Sequence, residues 1–245
     1  MKNKNVSKKD FLIQKTMDTK RIFDFLNDIK ENNNREWFAD NKERYKSAFA
    51  DFQEIANLLI ARISSFDKDI ANVQAKDCLF RIYRDIRFSP NKVPYKTHFG
   101  VYIASAGGRK SPRAGYYLHL EPNESLICGG IYMPEPNVLK ALRQAIYDNI
   151  DEFKELVEDP KFTSKLSFWE DEQLKSVPRG FPKDWADANY LKVKHYTYGA
   201  YFDDSFFRSK NWLDETVDLF HRIYPLNRFF NYTVDEVLKI MNYKL

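Results

Sequence analysis

The sequence of 245 residues predicts an α+β protein, a single domain in which an antiparallel sheet meander carries amphipathic helices packed on it. Three observations lead there. Apolar residues recur at three- and four-residue spacing between Asn34 and Ser64, the period shortens to two from Cys78 to Met133, and helical spacing returns at Asn137. No Gly/Ser-rich or Pro-rich linker divides the chain, and no internal repeat is visible. A hydrophobic share of 43% at this length is enough to bury a sizeable core.

Residues 1–17 read as a flexible basic tail, with Lys2, Lys4, Lys8, Lys9 and Lys15 among Asn and Ser, ahead of a domain over 18–245. Thr19 is placed to cap a short helix through about Ile29. Asn33 with Glu36 approximates a capping box for one long helix to Ser64, whose core face carries Trp37, Phe38, Tyr45, Phe49, Phe52, Ile55, Leu59 and Ile63. Leu79–Ile86, His98–Ser105, Gly115–Glu121 and Leu126–Met133 read as strands, separated by turns at Ser89-Pro90-Asn91, Gly107-Gly108 and Pro122-Asn123. Their short connections favour antiparallel pairing, because a parallel crossover needs a dozen or more residues. A further helix from Asn137 puts Leu139, Leu142, Ile146, Ile150, Phe153 and Leu156 on one stripe and stops at Asp159-Pro160. After an irregular stretch over 161–190, Leu191–Phe202 reads as a strand. Asn211–Tyr224 and Thr233–Asn242 then read as helices separated by Pro225.

Cys78 and Cys128 sit in apolar surroundings and form no disulfide framework, which points to core thiols in a reducing compartment. The basic, polar N-terminus lacks the apolar core of a signal peptide, and no run approaches the roughly 18 apolar residues of a membrane span. A cytoplasmic protein without a membrane partner is the expectation.

Charge is concentrated in one window. Arg81, Arg84, Arg87, Lys92 and Lys96 meet a single acid, Asp85, between Phe80 and Gly100, and this accounts for the whole net charge of +4. Guanidinium forks among aromatics suit a phosphate or carboxylate, or a dense salt-bridge node. In extended geometry Arg84 shares a face with Phe80, Ile82 and Ile86, so it is either paired by a carboxylate from another element or in contact with a ligand. Arg81, Tyr83, Asp85 and Arg87 take the other face. Their partners are expected from neighbouring strands, among His98, Tyr102, Tyr117, His119 and Glu121; if these alternate onto the same side, Arg81, Tyr83, Asp85, His98, Tyr117 and His119 line one depression with Lys96 at its rim, against the alternative of a solvated sheet face with ordinary cross-strand pairs.

Other chemistries lack their patterns. His98, His119 and His195 fall on expected strands, but no HxH, HExxH or Cys-cluster spacing accompanies them, so neither a metal nor a cofactor is expected. No GxSxG elbow is present, and Gly107-Gly108-Arg109-Lys110 lacks P-loop spacing, leaving a hairpin connection or a small anion nest.

The string Phe80-Arg81-Ile82-Tyr83-Arg84-Asp85-Ile86-Arg87-Phe88-Ser89, continued by Asn91-Lys92-Val93-Pro94-Tyr95-Lys96-Thr97, resembles the signature of a bacterial family catalogued as Domain of Unknown Function 2461. Asn34-Arg35-Glu36-Trp37-Phe38, Gly115-Tyr116-Tyr117, Gly129-Gly130 and Pro178-Arg179-Gly180-Phe181 are similar to its other landmarks. Where that signature carries Asp before its lysine, this chain has Asn91. The resemblance implies a single α+β domain and transfers no activity. The expected function is binding, with turnover as an extension, of a small phosphorylated or carboxylated anion by Arg81, Arg87 and Lys96, with His119 or His98 as acid or base. The alternative is a non-enzymatic module that docks nucleic acid or an acidic protein through its basic loops.

Overall fold

Alternating side chains sort the middle of the chain into a sheet with two unlike faces. A computed structural model describes residues 17–169 and 173–241, so the lysines of the basic tail lie outside the described residues. Strands β1 (Phe99–Ile103), β2 (Gly115–Leu120), β3 (Ser125–Ile131), β4 (Ser167–Phe168) and β5 (Tyr196–Phe202) form one antiparallel sheet in the order β1-β2-β3-β5-β4. The first three make the expected meander, with Gly100 opposite His119 and Tyr117 opposite Cys128.

One face is apolar and takes the helices α1 (Lys20–Glu31), α2 (Arg35–Asp40), α3 (Lys42–Ile63), α4 (Pro136–Asp148), α5 (Ile150–Val157) and α6 (Trp212–Ile240) into a common core. Phe25, Phe49 and Phe52 close on Phe99, while Phe220 meets Tyr116 and Phe230 meets Tyr196. Gly129 lets α6 come close to the sheet, since a Cβ there would stand 2.6 Å from Ile223 Cγ2. Among the described residues, no helix is long and apolar enough to cross a membrane.

Several local expectations are corrected. Leu79–Ile86 is not a strand, and Cys78 ends a helical turn over Ala75–Cys78. Only Leu79 bridges to Val101 at the outer edge of β1; beyond it the chain folds back on itself, with Tyr83 bridged to Tyr95 and the Arg84 amide donating to Pro94 O at 3.0 Å. Pro90 and Pro94 offer no amide hydrogen, and the side chains of Asp85 and Asn91 accept from the amides of Arg87 and Val93, so local bonds replace a ladder.

Thr19 stands at the N-cap of α1 as expected, but its hydroxyl makes no capping bond and donates instead to Phe207 O at 2.9 Å. The cap of α2 is Asn34, which accepts from the Trp37 amide, rather than Asn33, and the expected single helix is divided at Asn41. Asn149 divides α4 from α5, and β5 begins at Tyr196 rather than Leu191 because Asn189–Lys192 is a helical turn. Pro225 does not break the C-terminal helix. Proline in a helix interior costs about 3 kcal/mol, but the burial of Ile223, Leu226 and Phe230 on either side holds α6 continuous. Met17 is already tied to the domain, its carbonyl accepting from the Trp212 indole at 2.9 Å.

Candidate functional site

The opposite face of the sheet carries the chemistry. Extending the β1–β2 register by one residue sets His98 opposite Glu121, with His119 two residues before Glu121 on the same side. The rings of His98 and His119 stack with centroids 4.0 Å apart. His119 Nε2 lies 2.9 Å from Glu121 Oε2, and His98 Nδ1 lies 3.8 Å from the same oxygen. The Thr97 hydroxyl donates to Glu121 Oε1, and the Tyr117 hydroxyl lies 3.0 Å from His119 Nδ1. A carboxylate, an imidazole and a phenol thus form a chain along which a proton can pass.

Burial and neighbours set the charges. His98 is pushed down to about 3 by burial and by the adjoining His119, so it is neutral at pH 7. Hydrogen bonds from His119 and Thr97 hold Glu121 down at about 2 against the cost of burial, so it is ionised. Burial raises the Tyr117 phenol.

A pocket of about 380 Å³ lies at the Gly107-Gly108 turn, but Asp69 and Asp77 line it and Arg109 is spent on the carbonyls of Lys76 and Asp77. The pocket beside the histidines, about 350 Å³, has a different lining: Lys30, Arg84 and Lys96 with Asn33, Tyr95 and His98 among its walls, and no carboxylate. Asn33 builds it by gripping the Tyr95 backbone twice, donating to its carbonyl and accepting from its amide, both at 3.1 Å. Lys96 stands over the Phe80 ring, 5.2 Å from its centroid. Burial and the Arg81 charge press the Lys96 pKa downward.

The expected set therefore divides. Lys96, His98, Tyr117 and His119 come together, joined by Glu121 and Thr97. Tyr83 turns away to meet Phe38 and Tyr95. Asp85 pairs with Arg87 two residues on, by bonds of 2.9 and 2.7 Å, rather than with a neighbouring strand, and both are exposed. Arg81 is exposed and reaches the cluster through its charge on Lys96. Arg84 has no carboxylate partner among the described residues; it is half-buried and donates to Val93 O at 3.2 Å. His195 packs by Tyr132, apart from the other two histidines. Lys30 was not singled out in the sequence. Its only signal is a basic residue in the last turn of α1, where it faces the carbonyl end of the helix dipole.

A five-stranded antiparallel sheet carries helices against its apolar face, and a His/Glu/Tyr cluster lies on the other, beside a pocket lined by cations, in what is by architecture an α+β protein. The chain belongs to the conserved hypothetical protein family DUF2461, whose model matches residues 21–229 and so includes every residue of this site. No curated protein and no solved structure matches the chain.

Proposed function

We propose that the protein binds a small phosphorylated or carboxylated anion in the pocket beside His98, with Arg84, Lys96 and Lys30 as its cations. One observation carries the reading: these three line the same pocket, no acid lines it, and none of them is ion-paired among the described residues. Crowded like charges without a counterion are relieved by an anion, and the Arg84 fork can give it two parallel hydrogen bonds. Neutral His98, at the pocket wall, supplies a further hydrogen bond, and the His119 to Glu121 chain behind it gives the reading an acid–base extension.

A thermal-shift panel of inorganic phosphate, a nucleoside monophosphate, a sugar phosphate and dicarboxylates, run at two salt concentrations, tests this. At least one oxyanion should raise Tm with little salt dependence, and Arg84→Met should abolish the shift. A panel with no hit, or a shift that survives Arg84→Met, counts against the pocket.

A docking role is the second reading, favoured by the lobe over 85–92. There the Arg87 guanidinium stands over the Phe88 ring, 5.7 Å from its centroid, and Phe88 is 92% exposed. Such a surface would hold nucleic acid with an affinity that falls steeply with salt, the log–log slope being about −0.9 per phosphate contacted on duplex DNA.

A further inference from the structure

We propose that His98, His119 and Glu121 form a binding site for a divalent transition-metal ion of the zinc type, at the wall of the cationic pocket. The ligand atoms of these residues all lie within 4.8 Å of one another. A tetrahedral ion with bonds of about 2.1 Å needs ligand atoms about 3.4 Å apart. The spacings of 2.9 and 3.8 Å from Glu121 Oε2 to the two histidines bracket that value, so small side-chain rotations bring all three onto one ion.

The surroundings are those of ligands held in place. Metal-bound imidazoles commonly give their second N–H to an acceptor, and this fixes the ring. The Tyr117 oxygen stands at His119 Nδ1, so when an ion takes the place of the proton that Nε2 gives Glu121, the proton left on the ring sits on Nδ1 with that oxygen as its acceptor. The other Glu121 oxygen is occupied by the Thr97 hydroxyl, which leaves Oε2 for the ion. Two nitrogens and one oxygen suit zinc, cobalt or iron(II) better than magnesium or calcium, which take oxygen ligands. Three protein ligands leave a coordination position open, as in catalytic rather than structural zinc sites.

The spacing of the ligands explains why no linear motif betrays them. His98 and His119 are brought together by strand pairing across the β1–β2 hairpin, and only His119-Leu120-Glu121 is a local pair on one strand face.

The test uses the full chain, dialysed against chelator and kept in a phosphate-free buffer, with Zn2+ titrated in competition with a fluorescent chelator. One equivalent should bind. His98→Ala, His119→Ala and Glu121→Gln should each weaken binding by more than about 100-fold, and Tyr117→Phe by about 10- to 100-fold as a residue that orients a ligand. His195→Ala should leave the affinity unchanged, and Arg84→Met, which removes a neighbouring positive charge, should not weaken it; the second of these separates the metal from the anion pocket, since loss of anion binding there leaves metal binding intact. Absence of a stoichiometric site in the wild type, or wild-type affinity in the three ligand variants, overturns the proposal. If a ligand variant fails to fold, Co2+ added to the wild type decides: intense visible bands of a low-coordinate N/O site support it, and the faint spectrum of the hydrated ion refutes it.

Discussion

Gly100 lies opposite His119 across the β1–β2 pair, and its missing side chain is what admits Tyr117: a Cβ there would stand 2.8 Å from the Tyr117 hydroxyl oxygen and 3.3 Å from its Cε2. That hydroxyl is the one at His119 Nδ1. Gly100→Ala should therefore push the Tyr117 ring aside and cost about 1–3 kcal/mol, as overpacking does. Urea unfolding should give a lower midpoint at unchanged slope. A midpoint equal to wild type would mean that the ring has room to move.

Asn33 ties the pocket to the α1–α2 corner through its two bonds to the Tyr95 backbone. Asn33→Ala leaves a buried amide and carbonyl without partners, so stability should fall by about 2 kcal/mol. Anion binding should weaken with it, because Lys96 follows directly on Tyr95. Equal stability of the variant in chemical denaturation would show that water replaces both bonds.

Arg84 separates the sequence expectation from the structure. Paired with a buried carboxylate, its removal would cost several kcal/mol. Donating to one carbonyl from a half-buried position, it should cost no more than about 1.5 kcal/mol as Arg84→Met. A larger loss in the ligand-free protein would return Arg84 to a structural role.

Acid should destabilise the metal-free protein in two stages. The folded value of His98, about 3, lies below its ordinary 6.5, so on acidification the unfolded chain takes up the proton first. Stability that is whole above about pH 6.5 is lost toward pH 3. Glu121, at about 2 against 4.5, adds a loss that begins below pH 4.5. The groups facing them are His119, Tyr117, Thr97 and Lys96, and of these Lys96 and a protonated His119 oppose a charge on His98. In the presence of chelator, His98→Asn should flatten the upper stage and leave the lower one. An identical decline in wild type and variant would place the titrating group elsewhere.

The exposed Pro225 within α6 carries no amide hydrogen for the carbonyl of His221. Pro225→Ala should raise stability by about 1–2 kcal/mol, the regained helix bond exceeding the entropy that proline removes from the unfolded chain. A lower melting temperature would mean that the proline is needed to seat Ile223 on Gly129.

The α+β class and four of the five strands were legible because burial enforces periodicity: Phe99, Val101 and Ile103 face the helices whatever the turns do. The stretch from Phe80 to Lys96 misled because its alternation is real, with Ile82 buried and Arg81 and Tyr83 exposed, while its prolines and Asx bonds deny it a partner strand. Half of the site followed from alternation on β1 and β2, which sets Tyr117 and His119 on one side. Glu121 was visible only as a neighbour, and Lys30 not at all, because α1 reaches the pocket through the Asn33 to Tyr95 contact, and no local pattern encodes a pairing 62 residues apart. Pro225 was overruled by core packing on both of its flanks.

The anion pocket is tested most directly by a 1H–15N NMR titration of the full chain with inorganic phosphate, following backbone amides and the Arg side-chain resonances together. Saturable shifts confined to Asn33, Arg84, Lys96 and His98 are the expected result, with the Arg84 side chain moving most. Shifts centred on Arg87, Phe88 and Lys92, or spread over the surface without saturation, would contradict the pocket and leave the exposed lobe as the functional surface.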